Sequence, residues 1–116
     1  MSAWKLTIRH GSEVARERFE DLDDALRELQ ARAEAVRAEG NLRPVSMLRE
    51  FAPEEQIHAR LEISGAGLIR PPTAGVDVHG DGSLVPFEGS VRRRALELRR
   101  GESAFDAIHA ALEGRQ

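Results

Sequence analysis

Apolar residues recur through Asp21–Glu39 (DLDDALRELQARAEAVRAE) at Leu22, Leu26, Leu29, Ala33 and Val36. Steps of four, three, four and three place them on one stripe of a helix. Asp21 supplies an N-cap, Asp23 and Asp24 put negative charge where the helix dipole favours it, and Gly40 supplies a stop. A helix of this length spans roughly 27 Å, enough to lie across a small sheet. Its other face, with Asp23, Arg27, Glu28, Arg32, Glu34 and Arg37, is mixed in sign and reads as solvated.

On both sides of this segment the pattern changes to a period of two. Trp4, Leu6 and Ile8 alternate with Lys5, Thr7 and Arg9, as in a half-buried antiparallel strand. Gly11-Ser12 is a turn signal, and Val14–Phe19, with Arg16 and Arg18 alternating against Glu17 and Phe19, completes a hairpin. After a connector at Asn41–Pro44, Val45–Phe51 predicts a third strand and Ala52–Glu55 a proline-containing turn. Gln56–Ile63 predicts a fourth strand, joined to the third as a hairpin. Here Ile57, Ala59, Leu61 and Ile63 alternate strictly with His58, Arg60 and Glu62. Ser64–Thr73, with Gly65, Gly67, Pro71 and Pro72, is a loop. Gly75–His79 and Ser83–Phe87 are a fifth and a sixth strand joined by Gly80-Asp81-Gly82, and Pro86 assigns the sixth to an edge.

Gly89-Ser90 reads as a second helix start. Val91, Ala95 and Leu98, then Phe105, Ile108 and Leu112, form a further apolar stripe interrupted by Gly101. Ser103 and Asp106 have the spacing of a capping box. The stripe predicts two helices, Val91–Arg100 and Ala104–Glu113, or one kinked helix, ended by Gly114. The order is ββ-α-ββ-ββ-αα. It predicts an α+β class: a largely antiparallel sheet of five to six strands, packed on one long central helix and the C-terminal helices, in a single domain over residues 1–116.

Composition narrows the function classes. Hydrophobic residues at 41% and charged residues at 32% suit a folded chain. The absence of a long apolar run, and an N-terminus without the apolar block of a signal peptide, predict a soluble cytoplasmic protein and no membrane partner. Without cysteine there is no disulfide, thiolate metal site or Cys nucleophile. Lys5 is the sole lysine among 17 basic residues, a bias expected of a high-GC bacterial genome. The net charge of −3 exerts no global pull on nucleic acid.

The segment closest to a motif is Asp77-Val78-His79-Gly80-Asp81-Gly82 with Glu88 at the twelfth position, which nearly fits a calcium loop. His79 stands where calcium needs an oxygen, and the flanks read as strands rather than helices. A hairpin turn is therefore expected, with Asp77, His79, Asp81 and Glu88 as a third-choice metal site. His10, His58, His79 and His109 fall in different elements without HxH or HxxxH spacing, and each reads as a surface or packing residue. There is no nucleophile elbow, and Gly65-Ala66-Gly67 lacks the third glycine of a phosphate loop. Catalysis is disfavoured and no cofactor is implied. The segment with most to offer a partner is Arg92-Arg93-Arg94 with Arg99-Arg100. On a helix, Arg92, Arg93, Arg99 and Arg100 would share about 120° of arc with Leu96 among them. The leading expectation is a small non-catalytic interaction domain binding a protein partner or a second copy of itself through a sheet edge or uncovered sheet face. The second is nucleic-acid (RNA) backbone binding through these arginines.

Overall fold

The computed structural model describes residues 3–39, 57–65, 71–89 and 92–113. The strict alternation of Trp4–His10 gives β1, and Gly11, at φ +66°, turns the chain into β2, Glu13–Phe19. Helix α1 covers Leu22–Glu39. Then come β3 (Ile57–Gly65), β4 (Thr73–His79), β5 (Leu84–Glu88), the two-residue β6 (Arg94–Ala95) and α2 (Ala104–Leu112). The six strands form one sheet in the order β2-β1-β3-β4-β5-β6, and every neighbouring pair is antiparallel. The class is α+β, as the pattern predicts.

Both helices lie on one face of the sheet, α1 over β1, β2 and β3 and α2 over β4 and β5. Leu6 and Ile8 of β1, Ala59, Leu61 and Ile63 of β3 and Ala74, Val76 and Val78 of β4 point to them. From above, Ala25, Leu29, Ala33 and Val36 of α1 and Ile108 and Leu112 of α2 close the core, with Leu22 and Leu26 half-buried at its margin. Each fully buried Leu or Ile in such a core stabilises the fold by roughly 1.5–3 kcal/mol. The anticipated capping box forms: Ser103 Oγ accepts from the Asp106 N–H, and the Asp106 carboxylate accepts from the Ser103 N–H.

Residues 92–100 depart from the sequence expectation. They form no helix; Arg94 and Ala95 pair with Glu88 and Phe87 as an edge strand. Gly89, at φ +96°, takes the chain round so closely that a Cβ there would meet the Arg92 carbonyl oxygen at 2.4 Å. The Leu96 N–H then bonds to the Pro86 carbonyl. Edge pairing and side-chain contacts to the sheet thus outweigh a short apolar stripe, and among the described residues one C-terminal helix remains. The expected strand Val45–Phe51, its connector and turn, the stops at Gly40 and Gly114 and the cap at Ser90 lie outside the described residues. No helix among the described residues is long and apolar enough to cross a membrane.

Candidate functional site

Strand pairing sorts the polar residues of the sheet. On the face away from the helices, Lys5, Thr7 and Arg9 of β1 stand opposite Arg18, Arg16 and Val14 of β2 on one side, and Ser64, Glu62 and Arg60 of β3 on the other. Asp77 and Gly75 follow on β4, and Val85 and Phe87 on β5. This open face divides into two halves with different chemistry.

The β3–β5 half is closed by its own pairs. Arg60 donates from Nε to one oxygen of Asp77 at 2.6 Å and from Nη2 to the other at 3.0 Å, a two-pronged bond between directly opposed residues. The Asp77 carboxylate raises the Arg60 pKa above its already high ordinary value. Phe87, 3% exposed on the face that neither α1 nor α2 covers, lies under the guanidinium groups of Arg60 and Arg93, at 5.4 and 5.7 Å from its ring centre. Arg93 also lies 3.9 Å from a Glu62 oxygen.

The β1–β2 half is cationic and open. Lys5, Arg9, Arg16 and Arg18 project from two adjacent strands, and among the described residues none of the four is in an ion pair or side-chain hydrogen bond. Arg9, Arg16 and Arg18 are exposed, and Lys5 is half-buried. Lys5 and Arg18 are directly opposed, about 4.8 Å apart across the pair; Arg16 and Arg18 stand about 6.8 Å apart along β2, and Lys5 and Arg9 about 13.6 Å apart along β1. The signal is in the sequence: two alternating basic runs in one hairpin must share a face.

The arginines singled out from the sequence do not gather. Arg93 is held on Phe87 and Glu62, and Arg94 is paired with Glu88, which raises its pKa. Arg92, Arg99 and Arg100 are exposed, at the end of the sheet opposite β2. Leu96 is half-buried in a cleft of about 220 Å³ beside α2, near Glu88, Glu97 and Glu102 as well as Arg99. It is not the centre of an arginine ring.

The hairpin Asp77–Glu88 likewise has its carboxylates committed. Asp77 holds Arg60 and Glu88 holds Arg94. Asp81 accepts from the Ser83 hydroxyl at 2.7 Å and the Ser83 N–H at 2.9 Å, which lower its pKa below the ordinary carboxyl value. His79 ends β4, its N–H bonded to the Ser83 carbonyl. These are the contacts of a hairpin turn.

The convergence that spacing could not reveal is on the helix side. His10 ends β1, Glu39 ends α1 and His58 is the second residue of β3. Their Nε2, Oε1 and Nε2 atoms form a nearly equilateral triangle: 3.3 Å between the histidines, 3.4 Å from His10 to Glu39 and 3.5 Å from His58 to Glu39. A bulge makes this possible. Ile57 pairs with His79 and Ala59 with Val78, so His58 is one residue too many for its partner strand. Strict alternation would send it to the open face with Arg60 and Glu62; the bulge re-aims it to the helix side. His109, the fourth histidine, lies elsewhere, 3.0 Å from Glu113.

No protein-family model, no curated protein and no solved structure matches the chain, so its function has to be read from its own residues.

Proposed function

We propose that the chain is a small non-catalytic binding domain that holds the phosphate backbone of a nucleic-acid strand against the β1–β2 half of its open sheet face. The observation that carries this is the set of four cations, Lys5, Arg9, Arg16 and Arg18, on one face of one hairpin without carboxylate partners among the described residues. Elsewhere on the same face Arg60 and Arg93 are matched by Asp77 and Glu62. Unmatched cations on a flat surface favour a polyanion, and their attraction survives a net charge of −3 because it is local. Among the described residues no exposed aromatic platform accompanies them: Phe87 is buried and Trp4, Phe19 and Phe105 are half-buried. Binding therefore rests on phosphates and is indifferent to base sequence.

Anisotropy of a labelled single-stranded oligonucleotide tests this. Four phosphate contacts predict a slope of roughly −3 for log affinity against log salt. Arg16→Ala/Arg18→Ala weakens binding at least tenfold at low salt, whereas Arg92→Ala/Arg100→Ala at the far end of the sheet leaves it unchanged. Absence of binding at low salt, or a loss caused equally by both pairs, defeats the proposal.

A further inference from the structure

We infer that His10, Glu39 and His58 form a binding site for a divalent transition-metal ion, with zinc the ion of best fit. The site lies on the helix side of the sheet and is independent of the cationic face.

Three observations converge. The first is distance. A tetrahedral zinc site has metal–nitrogen and metal–oxygen bonds of about 2.0–2.1 Å, so neighbouring ligand atoms stand roughly 3.3–3.4 Å apart. The three edges measured here are 3.3, 3.4 and 3.5 Å. They match one face of such a tetrahedron, with an ion seated close to the plane of the three atoms. Hydrogen bonding explains the triangle poorly. All three contacts exceed the usual 2.7–3.2 Å range. A neutral imidazole also carries only one N–H, so every edge cannot hold its own well-formed bond.

The second is ligand chemistry. Two imidazole nitrogens and one carboxylate oxygen suit zinc, cobalt or nickel, whereas calcium and magnesium prefer oxygen alone. Among the described residues this is the only group of three or more His, Asp or Glu side chains whose ligand atoms converge.

The third is the fold. The three ligands come from three elements and meet only because His58 occupies the β3 bulge. Bulges commonly re-aim a side chain beside a functional site. The ligand side chains are 30%, 50% and 31% exposed, which leaves the fourth coordination position open to water or a small ligand. A bound ion would tie the last turn of α1 to the β1–β3 pair.

Titration calorimetry and thermal melts of the tag-free chain with zinc, cobalt, nickel and calcium test the site. One zinc per chain is expected, with a Tm rise of about 5 °C at saturation that EDTA reverses. Cobalt should develop the visible absorption of a tetrahedral complex, and calcium should do nothing. Glu39→Gln and His58→Ala should each weaken zinc by at least about tenfold, the loss that follows removal of even an outer-sphere partner. His79→Ala should not change it. Glu39 is exposed on the final turn of α1, so its variant keeps the core and reads the site even if His58→Ala alters the bulge. No zinc-dependent heat or melting shift overturns the proposal, and so does zinc binding that Glu39→Gln leaves intact.

Discussion

A Cβ added at Gly75 would lie 2.1 Å from the Leu61 carbonyl oxygen and 2.7 Å from the Glu62 Cα, both backbone atoms of the neighbouring strand. Backbone in the middle of a sheet cannot step aside as the end of a side chain can. β4 also lies between β3 and β5, so movement there disturbs two ladders. Gly75→Ala is therefore expected to cost about 3 kcal/mol, the upper end of the range for overpacking a buried position. Chemical denaturation should read this as a lower midpoint with an unchanged slope. At the same scale, Thr7 and Asp77 are 8% exposed on the face away from α1 and α2. Arg60 covers Asp77 through its two-pronged bond. Arg60 and Arg93 lay their guanidinium groups over Phe87.

Helix α2 has nine residues, too few to be stable alone, and owes its place to Ala104, Ala107, Ile108 and Leu112 against the sheet and to its cap. Ser103→Ala removes the acceptor for the Asp106 N–H and should cost about 1 kcal/mol, seen as a Tm lowered by a few degrees. Elements of this kind were legible beforehand because their signals are local: alternation in β1 and β3, glycine in the turns, the capping box, the stripe of α1. Residues 92–100 were not, because Val91, Ala95 and Leu98 satisfy a helical period while the contacts of Arg93 with Phe87 and Glu62 and of Arg94 with Glu88 act across the sheet. The His10–His58 contact was further out of reach. It depends on the β1–β3 register over a separation of 48 residues and on a bulge that breaks the alternation, which alone places His58 on the other face. The cationic strip needed one step only, the recognition that Lys5 and Arg9 share a face with Arg16 and Arg18 once the hairpin closes.

At the scale of the molecule, the same strip that would hold a polyanion governs self-association. Among the described residues the sheet ends in β2 on one side and the two-residue β6 on the other, so β2 is the longer of the two edges. A second copy pairing antiparallel with it about a two-fold axis at Arg16 would set Arg16 against Arg16, with Arg18 flanking on the same face. Like charges directly opposed in a sheet are unfavourable, and charged edge strands resist such pairing. Light scattering is therefore expected to give a monomer at high protein concentration. Arg16→Val/Arg18→Val should promote a dimer or larger species, because with Val14 it leaves three β-branched side chains in a row on that face. Arg16→Glu/Arg18→Glu should stay monomeric at low salt yet lose oligonucleotide binding. That combination separates the two consequences of the same charges: association is blocked by charge of either sign at the edge, whereas anion binding requires that the charge be positive. A wild-type dimer that both double variants leave intact would show that copies meet elsewhere and that the β2 edge does not control assembly.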